Sequence, residues 1–181
     1  MFIDNKLKYF IIILLFVFSC TKISQEKEEN NVVVSDQESW NSTTFISTKG
    51  IKKAKIFSGH LLKYESSGNI LLGDSVNVDF YNKQGKHVSI LISDSGVVNE
   101  TSQNLRAIGN VVLISDTGYT MYTDELIWYS DSEKVFTEGE IELFSAEDTL
   151  YGTGFTSDVK LKNWTITNPH GKTFRKLKEN Q

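Results

Sequence analysis

The side chains that could do chemistry in this sequence are few and scattered. Its three histidines, His60, His87 and His170, lie far apart in the chain, and Cys20 is the only cysteine. No His-x-x-x-His or paired-cysteine spacing occurs, so the usual ligand sets of a zinc site are missing. We therefore expect neither a metal nor a cofactor.

Carboxylates are the next candidates, because two of them in one cleft can act as a general acid and base. Acidic groupings of this kind include Asp131 with Glu133 and Glu147 with Asp148. Both fall in predicted turns, where such side chains normally bond to the backbone. No glycine-rich phosphate loop is present either. The sequence does not predict an enzyme, and a carbohydrate-processing enzyme would need a carboxylate pair that we cannot place in one cleft.

The thiol of Cys20 is the exception, because its position suggests chemistry. Lys6 and Lys8 precede an apolar run from Tyr9 to Phe18, which is too short to span a bilayer and has the length of a signal-peptide core. The run ends in Val-Phe-Ser-Cys, which resembles a bacterial lipobox. We expect a lipoprotein signal peptide at 1–19 and lipidation of Cys20. The alternative is a retained membrane anchor with an incidental cysteine.

Charge and composition limit the remaining classes. Nineteen basic and 23 acidic residues give a net charge of −4, which argues against a nucleic-acid partner. Residues 20–39 are polar and of mixed charge, and we interpret them as the lipidated N-terminus and a tether with a reach on the order of 20 to 25 Å. One proline and many Val, Ile, Thr, Tyr and Phe residues favour strands over helices. Residues 40–181 are therefore expected to form one all-β domain.

The elements that would position any site are repeated. Three stretches align without gaps, "ILLGDSV" from Ile70, "LRAIGNV" from Leu105 and "VFTEGEI" from Val135. Asp74, Gly109 and Gly139 occupy the same place in them, two residues before the closing aliphatic residue. Gly, Asn and Asp tolerate turn and bulge geometry, so a similar backbone bend is expected in each copy. Alternating strands follow, as in Val76, Val78 and Phe80.

A second strand follows each copy after a turn. Leu91, Met121 and Leu150 occupy matching places, and a small residue stands two positions later at Ser93, Thr123 and Gly152. An incomplete fourth copy at "KIFSGHLLKY" places Ser58 in the position of Ser93. Stacked hairpins of this kind predict a sandwich, roll or solenoid with two unpartnered edge strands. We expect lysines to line those edges, at Lys49, Lys52, Lys53 and Lys55 on one and at Lys160, Lys162, Lys172, Arg175, Lys176 and Lys178 on the other.

The stretch "LRAIGNVVLISDTGYTMYTDELIWYS", followed by "IEL" and "LYGTGF", resembles the lipopolysaccharide export protein family LptC over about Phe45 to Asn168. That family shares a superfamily with the periplasmic bridge protein LptA. The resemblance implies a single β-jellyroll of stacked antiparallel strands, open along one side, whose apolar interior carries lipid acyl chains. Many family members have an N-terminal transmembrane helix where this chain has a lipobox, and Asp74 departs from the glycine pattern.

The resemblance also implies partners. These are lipopolysaccharide as the lipid ligand, an inner-membrane ABC transporter, and a periplasmic LptA-like jellyroll protein bound through edge strands. The chain would sit on the periplasmic side of the envelope, anchored to a membrane by its lipid, with the inner membrane favoured. The residues expected to line the lipid-binding groove are Val76, Val78, Phe80, Leu91, Val111, Leu113, Met121, Ile141, Leu143 and Leu150. The alternative is that they are simply core.

Two hypotheses of function remain open at this level. The first is a membrane-tethered relay that accepts lipopolysaccharide and passes it to the next jellyroll by edge-to-edge β-augmentation. The second is a structural or assembly lipoprotein whose β-sandwich docks an envelope partner without carrying lipid.

Overall fold

The computed structural model of the protein describes residues 34–170. The predicted signal peptide, Cys20 and most of the predicted tether lie outside these residues. Ten strands form the described part of the chain: β1 (Gln37–Thr48), β2 (Ile51–Tyr64), β3 (Asn69–Tyr81), β4 (His87–Ser93), β5 (Ser95–Asn99), β6 (Leu105–Ser115), β7 (Thr120–Tyr129), β8 (Lys134–Phe144), β9 (Thr149–Asp158) and β10 (Thr165–His170). β1 begins at Gln37, slightly before the predicted start of the domain at Trp40. Within residues 34–170 no helix is long and apolar enough to cross a membrane.

All ten strands belong to one antiparallel sheet whose spatial order follows the chain. The order is β1-β2-β3-β4-β6-β7-β8-β9-β10, and β5 pairs with both β3 and β6. β4 and β5 are two segments of one line, separated by Asp94. The three aligned stretches lie on β3, β6 and β8, and each is followed by its hairpin partner. The prediction of an all-β jellyroll of stacked antiparallel strands is confirmed.

The sheet bends along a line that crosses the middle of the long strands. On β6, Ile108 pairs with Glu125 and Val111 with Thr123, so two residues of β6 face one of β7 across a bulge. Similar register breaks occur in the pairing of β2 with β3 and of β8 with β9. Bulges bend strands and increase their twist. We call this line the corner; it lies within strands, whereas the sequence suggested a bend that precedes them.

The aligned residues Asp74, Gly109 and Gly139 all lie at the corner, as their shared position predicted. Their backbones differ, because φ is 53° at Asp74 and 80° at Gly109, whereas Gly139 is not in the left-handed region. A Cβ at Gly109 would also lie 2.6 Å from the Asp94 carboxylate, so a side chain there would require Asp94 to move. The copies therefore share a corner but not one backbone conformation.

The matching small residues on the partner strands cap this corner. A hydroxyl donates to the carbonyl two residues ahead in three copies, Ser58 to His60, Ser93 to Ser95, and Thr123 to Glu125. These bonds add a side-chain donor to backbone carbonyls beside the register breaks. Gly152 occupies the matching position in the remaining copy. A Cβ there would clash with Ile166 and lie 2.9 Å from the carbonyl oxygen of Asn168 on β10. A glycine at this place lets β10 lie against β9.

The bend brings two rows of turns together, and we call the line where they meet the mouth. The first row comprises residues 49–50, 82–86, 116–119 and 145–148; the second comprises 65–68, 100–104, 130–133 and 159–164. Lys53 Nζ donates to the carbonyl oxygen of Ser130 at 2.8 Å across the mouth, and Ser115 Oγ donates to that of Lys160 at 2.6 Å. Between the two halves lies one apolar core, in which the rings of Phe80 and Trp128 are 5.1 Å apart.

Candidate functional site

The ten predicted groove residues all belong to or pack against this core. Nine are at most 2% exposed, namely Val76, Val78, Phe80, Leu91, Val111, Leu113, Met121, Ile141 and Leu143. Leu150 is partly buried and packs against the others. They share one face because side chains alternate along a strand and the register keeps the buried positions opposite one another. The structure therefore brings all ten together on the inner surface.

Six of these residues form a continuous row across the sheet. Cross-strand pairs join Val78 to Leu91, Leu91 to Leu113, Leu113 to Met121, Met121 to Leu143 and Leu143 to Leu150. Ile56 extends the row by pairing with Val78. We call these seven residues the apolar track. At a strand spacing of about 4.8 Å, seven strands give it a length of about 29 Å.

Ile56 was missing from the predicted groove, although the sequence contained the signal for it. Ile56 stands two residues before Ser58, as Leu91 stands two residues before Ser93. The incomplete fourth copy aligns with the others through Ser58. Carrying the alignment two residues back would have placed Ile56 on the track. Beyond it the track reaches the edge strand at the polar residue Thr44.

The other end of the track reaches a cleft. This cleft has a volume of about 610 Å³, and its apolar walls are Tyr119, Leu150 and Trp164. All three are half-buried and pack against the core. It lies at the end of the sheet that carries β10, where Leu150 is the last member of the track. The apolar interior is therefore continuous with a surface opening at this end.

Elsewhere the interior is filled by the protein's own side chains and closed by a few polar contacts. Across the mouth, Lys53 Nζ lies 3.4 Å from the Glu133 carboxylate in addition to its bond with Ser130. Thr117 Oγ1 donates to the Lys160 carbonyl oxygen at 2.9 Å. The two halves are not joined by strand pairing at this line. Separating them along the mouth would break a few hydrogen bonds and leave the ladders intact.

The residues considered for catalysis are not assembled into one site. Asp131 and Glu133 lie on a turn of the second row, and Glu147 and Asp148 on a turn of the first row, in separate clefts. Among the described residues no group of His, Cys, Asp and Glu could hold a metal ion. Two ion pairs perturb side-chain ionisation within residues 34–170. The hydrogen bond from Lys63 to Glu100 raises the pKa of that lysine, and the second pair joins Arg106 to Glu125. There Arg106 donates two bonds of 2.7 Å to Glu125, which lowers the pKa of that carboxyl.

The two edges of the sheet are β1 and β10, each with one neighbour. The expectation that lysines line them was wrong for the residues that the structure describes. Lys52, Lys53 and Lys55 lie on β2, one strand inside the edge, and Lys49 lies in the hairpin turn. Lys160 and Lys162 lie in the loop before β10, and the remaining predicted residues are outside the described part. The repeat pattern does not predict β1, because β1 precedes "KIFSGHLLKY", the incomplete copy with which the pattern begins.

Comparisons with known proteins agree with this architecture. The sequence profile of the LptC-related family, described as lipopolysaccharide assembly, matches residues 9–169. The fold is similar to the crystal structure of LptH from Pseudomonas aeruginosa, described as the LptA-homologous periplasmic component of the lipopolysaccharide transport device. That likeness has a TM-score of 0.50 at 9% identity and covers 66% of this chain and 91% of the LptH chain. No curated protein matches the chain in sequence.

Proposed function

The chain belongs to the LptC-related family, whose members are non-enzymatic components of the lipopolysaccharide transport machinery, and we propose that it carries lipid through its interior. It receives lipopolysaccharide from an inner-membrane ABC transporter and passes it to a periplasmic LptA-like bridge protein. The acyl chains lie against the apolar track. The observation that carries this proposal is the continuity of that track from Ile56 to Leu150.

The physical basis is transfer of acyl chains out of water. Each CH₂ group that leaves water gains about 0.8 kcal/mol. A uniform row of aliphatic side chains offers similar contacts at each step, so a chain can move along it without a deep minimum. Because the core is filled, a guest must part the two halves at the mouth. The cost falls on a few hydrogen bonds, each with a net value of about 1 kcal/mol, and on apolar contacts that the acyl chains replace.

Transfer to the next protein requires an edge. β1 is 12 residues long, and β10 is 6 residues long and contains Pro169, which has no backbone N–H to donate. Each edge can extend the sheet by pairing with a strand of a partner jellyroll. Stacked in this way, the apolar interiors of two jellyrolls would form one path.

The N-terminal part of the proposal rests on sequence alone. Residues 1–19 are a lipoprotein signal peptide, Cys20 is lipidated, and residues 20–39 tether the domain to the periplasmic side of the inner membrane. Two or more acyl chains would give stable anchoring, since one chain alone binds a membrane only marginally. Mass spectrometry of the mature N-terminus tests it. A retained Met1 would restore the interpretation as a membrane anchor.

Site-specific photo-crosslinking in cells with an active exporter tests the path. A photoreactive amino acid at Leu113 should capture lipopolysaccharide, because that side chain lies in the middle of the apolar track. The matched control is Ile114, the next residue on β6, which points to the outer face and is 39% exposed. Equal capture at both positions, or none at Leu113, would refute an internal path.

A second candidate function is the assembly lipoprotein that docks a partner without carrying lipid. The observation that favours it is a cross-strand row on the outer face that includes the exposed residues Phe57, Ile92 and Tyr122. Depletion of the protein separates the two functions. Lipopolysaccharide stalled at the inner membrane supports the relay, whereas a normal lipid distribution with misassembled surface proteins supports docking.

A further inference from the structure

A cleft of about 230 Å³ lies at the mouth, near the β1 edge. Its walls come from three turns that are distant in the sequence: the β1–β2 turn, the β3–β4 turn and the β7–β8 turn. The first two belong to the first row of turns and the third to the second row. The cleft therefore spans the line along which the halves would part. It is smaller than the sites of about 300–1,000 Å³ that hold drug-sized ligands, so it suits a small polar group.

Positive charge dominates this cleft. Lys49, Lys52, Lys53 and Lys83 line it, against Asp131 and Glu133, which gives 4 − 2 = +2. The whole chain carries −4, so the local excess of lysine does not reflect the composition. Lys49 and Lys83 come from the first row of turns, Lys52 and Lys53 from the adjoining start of β2, and the carboxylates from the second row. An anion in the cleft would face lysines contributed by two adjacent turns.

Lys49 occupies a backbone position that lysine seldom takes. The two residues between β1 and β2 have positive φ, 51° at Lys49 and 77° at Gly50. Such type I′ turns favour Asn, Asp or Gly at both places. A lysine there costs stability relative to asparagine, because its Cβ is crowded in the left-handed region. Lys49 thus stands where the turn would favour Asn, Asp or Gly, and it adds a positive charge to the cleft.

Lys52 and Lys83 lie on ordered parts of the cleft. The ammonium group of Lys52 lies 3.5 Å from the centre of the Tyr81 ring, a cation–π contact. Lys83 is carried by a turn in which the side chain of Asn82 accepts bonds from the backbone N–H groups of Gln84 and Lys86. The cation–π contact restricts the position of the Lys52 charge, and the ordered turn fixes the backbone from which the exposed side chain of Lys83 projects. Ordered donors lose less entropy when they bind an anion.

We propose that this cleft binds a phosphate group of the lipopolysaccharide headgroup while the acyl chains enter the mouth beside it. The inference rests on the proposed function and adds a second contact to it, for a group that the apolar track cannot hold. Lysine ammonium groups bind phosphate oxygens by short charge-assisted hydrogen bonds. Ile51, which is 42% exposed, lines the same cleft and offers the adjoining lipid an apolar contact.

A phosphate group bound in the cleft would also weaken the contacts that close the mouth. Lys53 holds the mouth through Ser130 and Glu133. A phosphate group that approaches Lys53 competes with the Glu133 carboxylate for the same ammonium protons. The headgroup therefore weakens one of the contacts that keep the two rows of turns together, at the place where the acyl chains must pass.

Binding measurements with the full chain in detergent test this site. The probes are lipopolysaccharide with phosphorylated lipid A, the same material after phosphatase treatment, and inorganic pyrophosphate. The variant pairs Lys49→Asn with Lys83→Gln, and the control is Lys86→Gln, which removes a lysine from the same turn but outside the cleft. Since Asn suits the turn, the double variant is expected to keep the wild-type melting temperature, so a loss of binding would not reflect unfolding.

The dissociation constant for phosphorylated lipopolysaccharide should rise about ten-fold in the double variant and stay unchanged in the control. Phosphatase treatment should remove this difference, and pyrophosphate should compete only at the intact cleft. Equal affinities in the wild type and the double variant, or an equal loss in the control, would overturn the proposal. So would pyrophosphate binding to the cleft with no effect of the lysines on lipopolysaccharide, which would assign the site to free phosphate.

These results are distinguishable from failure of the proposed function. If the lysines have no effect but the probe at Leu113 still captures lipopolysaccharide, only the headgroup site is wrong. If neither form of lipopolysaccharide binds the wild-type chain and Leu113 captures none, both proposals are wrong.

Discussion

Replacement of Gly152 by alanine should loosen the strand that ends the sheet. Gly152 pairs with Pro169, and β10 is held to β9 by five residue pairs. A Cβ at position 152 would clash with Ile166, and it would lie 2.9 Å from the Asn168 carbonyl oxygen and 3.2 Å from Pro169 Cα. Two of these atoms are backbone, so a side-chain rotation cannot relieve all the contacts. β10 must shift away from β9 or detach from it.

The magnitude follows from the cost of such overpacking, which is typically about 1–3 kcal/mol. For a protein of this size, each kcal/mol lowers Tm by about 2–4 °C. A loss of about 2 kcal/mol should therefore lower Tm by roughly 4–8 °C. Gly139→Ala is the matched control, because a Cβ there meets only side-chain oxygens, at 3.4 and 3.8 Å, and φ is not in the left-handed region. Its Tm should change by about 1–2 °C at most.

Thermal unfolding followed by circular dichroism measures Tm, and amide hydrogen exchange locates the change. Protection should fall on β9 and β10 in Gly152→Ala and stay unchanged on β3 and β4. A Gly152→Ala protein with the Tm of Gly139→Ala would refute the reasoning. So would a uniform loss of protection across the sheet, since the contacts of Gly152 predict a local effect.

Two further predictions concern the corner and the outer face. Thr123→Val removes the hydroxyl that donates to the Glu140 carbonyl oxygen at 2.9 Å. It should cost about 0.5–1.5 kcal/mol in urea unfolding, the net value of one hydrogen bond, whereas Thr123→Ser should retain most of the stability. Equal losses in the two variants would contradict the capping role. Arg106→Gln removes the partner that lowers the pKa of Glu125. In the wild type this ion pair stabilises the fold above the unfolded-state pKa of about 4.3, and its contribution is lost as the pH falls through the lower folded-state pKa. The difference in Tm between the two proteins is small, because both side chains are partly exposed; it should be present at pH 7 and disappear once the pH lies below the folded-state pKa. A pH-independent difference would show that the arginine acts through packing alone.

Sequence reasoning found the corner but misjudged its place in the strands. Asp74, Gly109 and Gly139 aligned because each lies where a register break bends the sheet. On β3 the buried positions keep the same phase on both sides of the bend, at Leu72 and at Val76, but the three residues between them are not buried. The alternation is interrupted there, so the sequence pattern suggests that a strand starts at Val76, whereas β3 continues through the bend. On β7 the phase changes between Thr123 and Leu126. When three residues lie between the last buried position before the corner and the first one after it, the alternation of buried and exposed positions keeps its phase. When two residues lie between them, the phase shifts by one residue.

The inner face was predictable because it depends on local alternation, and the closure of the interior was not. The bond from Lys53 to Ser130 joins residues 77 apart in sequence. It depends on how the two rows of turns meet after the sheet bends and twists, which no spacing in the sequence encodes. For the same reason the lysines of β2 were assigned to an edge, whereas Lys53 lies at the mouth.

The agreement between spatial order and chain order also bears on how the molecule assembles. Apart from the double pairing of β5, every strand lies beside the strand that precedes or follows it in the chain. Such a topology keeps the loops that must close short, and low contact order speeds folding. We expect assembly by successive addition of hairpins to a growing sheet, much as in repeat proteins. The long-range contacts of Lys53 and Ser115 can form only after the later strands have docked, so closure of the mouth would be the last step of folding.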